Sequence, residues 1–350
     1  MSLFDLIKSE ITALAPLPSP MRLSRYMELC LTHPEFGYYM MRDPFGAAGD
    51  FTTAPEISQM FGELIGLWAV AEWQQMGRPA PFALLELGPG RGTLMVDALR
   101  AASVEPAFIA ALQLYLCDVS PLLREHQHAH LARYDVRWIG TLDQLPALPT
   151  IIVANEFFDA LPIEQVRFDG TWRARCVDLQ HNQLTWVECG ISDTDLPETI
   201  HAAKPQHWLE YSPLSQTIMR DLTAHLKRHG GRALIVDYGY NQPVFAITNG
   251  DTLQALKSHQ SIDPLAAPGT ADLTAHVDFH SLAAIARSAG LTASLTTQGQ
   301  FLKALGIDAR AERLSARATP EQVETIRTAT RRLTHPNEMG DLFKVLIIQG

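Results

Sequence analysis

The sequence predicts an α/β protein built on a parallel sheet of the kind that binds nucleosides, and three observations carry that expectation. The run Phe82 to Leu87 is apolar apart from Glu86, as in a strand covered on both faces. Gly88, Gly90 and Gly92 follow at alternate positions. Leu94, Met95, Ala98 and Leu99 then recur at helical spacing. Strand, glycine turn and helix in that order form the first crossover of such a sheet. Glycine admits positive φ and lets a ligand approach where a Cβ would stand. The helix start offers unpaired N–H groups.

Two phosphate-binding motifs are excluded. The dinucleotide fingerprint requires glycine where Thr93 stands, and no Lys-Ser or Lys-Thr follows to make a P-loop. Instead Glu86 near the strand end gives Glu-x-Gly-x-Gly-x-Gly. A carboxylate there repels a pyrophosphate and suits a cationic, amino-bearing ligand. S-adenosyl-L-methionine has a sulfonium, an ammonium and no phosphate. It is the cofactor expected here, with Glu86, Gly88, Gly90, Gly92 and Thr93 as contacts.

The remaining elements follow in chain order. Leu3, Leu6, Ile7, Ile11 and Leu14 predict an amphipathic helix, ended by Pro16, Pro18 and Pro20. A second helix is expected from Met21 to Leu31, then an aromatic turn at 33–39. Residues 45–56 form an irregular, glycine-bearing segment leading towards the sheet. Its Asp50 and Thr53 are counted with the cofactor contacts. A long helix is expected from Ile57 to Met76.

Residues 112–118 predict the second strand, with Asp118 at its carboxyl end. There an acid accepts ribose hydroxyls; capping the helix that starts at Ser120-Pro121 is the competing use. That helix carries His126, His128 and His130. No third ligand or general base accompanies them, so it reads as a solvated face and no metal is expected. Val136 to Ile139 is the third strand, followed by Thr141 and Leu142 where an adenine ring could lie. Thr150 to Ala154 is the fourth. Asn155-Glu156-Phe157-Phe158-Asp159 at its end is the candidate reaction centre, Asn155 being counted with the cofactor.

Residues 165–168, 172–179 and 184–188 predict short antiparallel strands, inserted over the active site. A helix at 213–228 ends at Gly230-Gly231. The fifth strand, 232–236, ends in Asp237-Tyr238. Residues 241–270 read as loop-rich. Then come a helix at 280–289 with Asp278 as its cap, a sixth strand at 291–297, helices over 300–333, and a closing antiparallel strand at 343–348. The expected division is an N-terminal helical segment with an active-site loop (1–80), a core (81–164 and 231–350) and an inserted lid (165–230).

Composition bounds the function. The 350 residues are 47% hydrophobic, enough for a large core, and carry a net charge of −10. That charge speaks against nucleic acid as a partner. The four cysteines are scattered, which favours reduced thiols over a disulfide framework. The run Leu64 to Ala71 is too short to span a bilayer, so no membrane insertion is expected. The start of the chain has no signal-peptide or transit-peptide pattern.

Five ordered motifs together resemble one family: 49–58, the Glu86–Thr93 turn, 155–162, Asp237-Tyr238-Gly239, and 273–279. The chain resembles the MidA-like proteins over nearly its whole length. These are S-adenosyl-L-methionine-dependent arginine methyltransferases linked to assembly of mitochondrial respiratory complex I. The resemblance implies a seven-stranded Rossmann-like class I methyltransferase sheet with its last strand antiparallel. It also implies cofactor contacts at Gly88, Gly90, Gly92 and Asp118, and symmetric dimethylation of an arginine in the quinone-proximal subunit of complex I. A cytoplasmic bacterial member fits the missing transit peptide.

The chemistry asks for acids. A guanidinium stays protonated at cellular pH, and carboxylates grip its planar fork bidentately. Glu156 and Asp159 are the expected clamp; Asp237 and His276 are second choices, His276 as proton acceptor. Two alternatives stand beside this reading. A small-molecule methyltransferase would have a closed pocket, and a non-catalytic cofactor-binding assembly factor would bind without transferring a methyl group.

Overall fold

In the computed structural model the described residues are 2–13, 19–42, 53–243, 246 and 250–350. Asp50, Leu14, Pro16, Pro18 and the 45–52 part of the irregular segment lie outside them. The chain divides into two compact units.

One unit comprises 45–158, 218–239 and 282–350. Its sheet runs in the order Thr292–Thr297, Phe343–Gln349, Gly231–Tyr240, Thr150–Asn155, Phe82–Leu87, Leu112–Cys117, Val136–Ile139. Neighbouring strands from Gly231–Tyr240 to Val136–Ile139 are parallel. Phe343–Gln349 is antiparallel to both its neighbours. This is the expected Rossmann-like methyltransferase sheet with its last strand reversed. Every residue of Phe82–Leu87 and of Thr150–Asn155 is buried, as parallel strands covered on both faces must be.

Helix Gln59–Gln75 covers this sheet and packs on helix Thr93–Ala102, which follows the glycine turn. Gly62 and Gly66, one turn apart, permit the close approach: a Cβ on Gly66 would overlap the Ala98 carbonyl. Trp73, Phe82 and Phe108 close the core, with ring centroids 4.9–6.0 Å apart. The Arg232 guanidinium donates to Glu72 at 2.9 Å, both side chains largely buried. Among the described residues no helix is long and apolar enough to cross a membrane.

The other unit comprises 1–44, 159–217 and 240–281. Strands Met21–Arg22, Trp172–Gln180, Glu164–Phe168 and Leu209–Tyr211 lie side by side, and Gln183–Gly190 also pairs with Trp172–Gln180. Val166, Trp172, Ala174, Cys176, Ile200 and Tyr211 form its buried cluster. The four cysteines are free.

Two expected elements are corrected, and the loop-rich 241–270 region holds short strands that the sequence did not signal. Met21 and Arg22 are not helical. They pair with Val177 and Cys176, and the helix starts at Leu23. The helix expected from Ile57 begins at Gln59, because Ser58 is extended (φ −162°) and its hydroxyl accepts from Met60 N; Ala54–Ile57 is a separate turn. Gln254–Lys257 pairs with Gln260–Ser261 and Asp272–Thr274.

Gly66→Ala is expected to lower stability by about 1–3 kcal/mol through overpacking, although alanine favours a helix by about 1 kcal/mol over glycine. Thermal unfolding checks this. An unchanged or raised melting temperature would contradict the close helix approach.

Candidate active site

Strand register decides what meets what. Leu87 pairs with Cys117 on one side and Ala154 on the other, and Asn155 pairs with Val236. Gly88, Asp118, Glu156 and Asp237 therefore emerge at one edge of the sheet, at the carboxyl ends of the parallel strands, where such sheets bind ligands.

Gly88, Gly90 and Gly92 all have positive φ (62°, 53° and 83°), a conformation that glycine adopts without strain. At Gly88 the need is double, since a Cβ would stand 2.8 Å from the Phe157 ring. Gly92 caps helix Thr93–Ala102. The Thr93 hydroxyl donates to Glu56 Oε1 at 2.7 Å, tying the helix start to the Ala54–Ile57 turn.

Glu86 is 2% exposed, and its Oε2 has no hydrogen-bond partner among the described residues. Burial, reinforced by the Asp118 charge, pushes its carboxyl up to about 8. Asp118 is half-buried, and burial raises its carboxyl as well. It is not the helix cap; Ser120 takes that place, accepting from Leu123 N. Asp118 instead accepts from Ser120 N at 2.8 Å and from Gln127 Nε2 at 2.7 Å.

Thr141 and Leu142 open a short 3-10 turn after Val136–Ile139, held by Gln144 Oε1 accepting from Gly140 N at 2.6 Å. Asn155 is 8% exposed and donates from Nδ2 to Glu156 Oε1 at 3.1 Å. With the amide turned that way, its buried Oδ1 is left without a partner among the described residues. Glu156 has a left-handed backbone (φ 49°), uncommon for a side-chain-bearing residue and concentrated at functional sites. Its Oε1 also accepts from Ala54 N at 2.9 Å. Thr53, 7% exposed, precedes that contact as the cap of Ala54–Ile57. Asp237 is fully buried; its Oδ2 accepts from Phe157 N and Phe158 N (3.2 and 3.0 Å) and its Oδ1 from Tyr238 N (2.9 Å). It thereby holds the turn that carries Glu156.

Asp159 and His276 lie in the other unit. Ala275 N donates to the Asp159 carbonyl at 2.9 Å, and His276 N donates to Thr252 Oγ1 at 2.8 Å. Asp278 accepts from Ser281 N at 3.0 Å, the cap expected of it.

Helix Pro121–His130 stands where it was expected, but sequence reasoning, which read its histidine face as solvated, missed what its buried face does. Gln127 is fully buried and donates to Gly90 O at 2.7 Å. Arg124 donates to the Asp118 carbonyl, and His130 Nδ1 lies 2.9 Å from Arg91 O. A polar residue flanked by histidines gives no periodic signal. The hint was its i, i+4 spacing from Leu123 and Leu131, which share its buried face. Among the described residues no three His, Cys, Asp or Glu side chains are grouped to hold a metal.

A parallel sheet in this order, with a left-handed glycine turn and acids on two neighbouring strand tips, defines a class I methyltransferase. Residues 64–297 match the family model described as "Putative S-adenosyl-L-methionine-dependent methyltransferase". The Drosophila melanogaster protein arginine methyltransferase NDUFAF7 homolog, mitochondrial, is 37% identical, over 99% of this chain and 84% of its own. The Homo sapiens protein arginine methyltransferase NDUFAF7, mitochondrial, is 34% identical, over 93% and 79%. A Burkholderia thailandensis structure bound to S-adenosyl-homocysteine superposes with TM-score 0.86 at 26% identity, over 99% of this chain and 92% of its own. The chain belongs to this S-adenosyl-L-methionine-dependent methyltransferase family, in the group of the mitochondrial NDUFAF7 proteins.

The residues present fit that cofactor. The Glu86 oxygen is buried near a turn of three left-handed glycines, and a buried acid with no hydrogen-bond partner on that oxygen among the described residues fits a cationic ligand.

The sign of the Glu86 effect is testable. Its folded-state pKa, about 8, lies above the ordinary 4.5, so between those values the folded state keeps a proton that the unfolded chain loses, and the cofactor-free fold loses stability progressively as pH rises. Glu86→Gln is expected to match the wild type near pH 4 and to exceed its stability by about 1–4 kcal/mol at pH 8, while weakening S-adenosyl-L-homocysteine binding. Melting curves across that range check it; a margin independent of pH would contradict the raised pKa.

Proposed function

We propose that this chain is a protein arginine N-methyltransferase. The observation that carries the reading is the Glu156 carboxylate, on a left-handed residue at a strand tip, fixed through Oε1 by Ala54 N and Asn155 Nδ2. The relatives named as protein arginine methyltransferases, aligned along most of their length, support the substrate class. As the finer proposal, the substrate arginine lies in a subunit of respiratory complex I, and the protein acts in the bacterial cytoplasm.

When bound, S-adenosyl-L-methionine supplies a methyl carbon made electrophilic by its sulfonium. Glu86 would face the positive end of the cofactor, Asp118 would accept its ribose hydroxyls, and Gly88, Gly90 and Gly92 would leave room for it. Thr93, Thr53, Asn155, Thr141 and Leu142 would line the same edge. Alignment is the main contribution a protein makes to such a transfer.

Glu156 would hold the guanidinium by charge-assisted hydrogen bonds, concentrating its positive charge on the nitrogens that face the acid. Asp237, which meets three backbone N–H groups, would act by positioning the Phe157-Phe158 turn rather than as part of the clamp.

Glu156→Gln preserves the acceptor that Ala54 N and Asn155 Nδ2 use and removes the charge. It is expected to keep S-adenosyl-L-homocysteine affinity within about threefold and to lower arginine methylation by about 100-fold or more. Calorimetry and transfer of labelled methyl groups to lysate protein, mapped by mass spectrometry, check both. Label on wild-type products other than protein arginine would favour a small-molecule methyltransferase; heat of binding without label would favour a non-catalytic binder.

A further inference from the structure

Gln127 stands where three parts of the cofactor edge meet. Its Nε2 has two hydrogens, and both are engaged: one donates to Asp118 Oδ2 and one to Gly90 O, each at 2.7 Å. Its Oε1 accepts from the Trp138 indole N–H at 2.8 Å. Indole nitrogen only donates, so this bond fixes which way the amide faces. A flipped amide would set a carbonyl against both the Asp118 carboxylate and the Gly90 carbonyl.

Trp138 is itself constrained. It pairs with Leu116, on the strand that ends just before Asp118. The His128 ring lies against the indole, tilted by 32° with centroids 3.7 Å apart. Gln127 is fully buried, and its Cα lies 3.6 Å from the position a Cβ on Gly92 would take. Helix Pro121–His130 therefore presses an oriented amide between one strand tip and the glycine turn that follows another.

We propose that Gln127, oriented by Trp138, is a positioning residue for the cofactor's ribose. With Ser120 N on Oδ1 and Gln127 on Oδ2, turning the Asp118 carboxylate would break both bonds, so the acid is held in one orientation to meet a vicinal diol. The same amide joins the acid to the Gly90 peptide, so the turn and the ribose acid move as one piece. The inference rests on Asp118 being the ribose acid.

Full-length wild type, Gln127→Leu and Trp138→Phe are titrated calorimetrically with S-adenosyl-L-homocysteine and with its 2′-deoxy analogue. The wild type should bind the parent at least about tenfold more tightly than the analogue, as expected for a hydrogen bond to a charged group. Gln127→Leu should bring that ratio close to one. Trp138→Phe, which keeps the amide but frees it to turn, should bring it to an intermediate value. If Gln127 were merely structural, both ligands would weaken equally and the wild-type ratio would persist, which overturns the proposal. Trp138→Phe decides the matter should Gln127→Leu not fold. A wild type that fails to discriminate overturns the reading of Asp118 itself, a result visible before any substitution.

Discussion

The register of the parallel strands is the constraint on which the rest depends. Leu87 is locked opposite Cys117 and Ala154, and Asn155 opposite Val236. A slip of one residue would turn every side chain to the other face and carry Glu86, Asp118 and Glu156 away from the edge they share. Close packing on both faces resists such a slip: every residue of Phe82–Leu87 and Thr150–Asn155 is buried, so a shifted strand would have to repack the core on either side.

Within that frame the polar groups at the edge fall into two kinds. Some are saturated and hold shape. Asp237 meets three backbone N–H groups. Gln127 uses both hydrogens and its oxygen. Others keep an open atom in a buried place, as Glu86 Oε2 and Asn155 Oδ1 do among the described residues. A buried polar atom without a partner costs about 1–3 kcal/mol. Stability alone gives no reason to retain it, whereas a ligand that supplies the missing partner does. The family's cofactor is cationic at one end and bears hydroxyls at the other, and this edge offers acids to both.

Much of this was legible in the sequence because the signals are local. The glycine spacing reports its own turn, and all three glycines are left-handed. The apolar runs report their own strands: Val136–Ile139 and Leu112–Cys117 stand where periodicity put them, and the closing strand is antiparallel as expected. What escaped depends on partners far along the chain. Met21 and Arg22 follow helical spacing, yet Val177 and Cys176 recruit them into a sheet, a pairing that no local window contains. Gln127 looks like one more polar residue among histidines until Gly90, Asp118 and Trp138 converge on it. Asp237 at a strand tip suggested chemistry; only the turn at Phe157-Phe158 shows how its oxygens are used.

The central claim is that a cationic nucleoside meets an acid kept protonated by burial at this edge. Titration of the full chain with S-adenosyl-L-homocysteine at pH 7, in two buffers of different ionisation enthalpy, tests it most directly. Glu86 should ionise as the ligand's ammonium arrives, releasing up to about one proton per site, so the measured heat should depend on the buffer in the sense of proton release. No binding, or binding with proton uptake, would contradict the account.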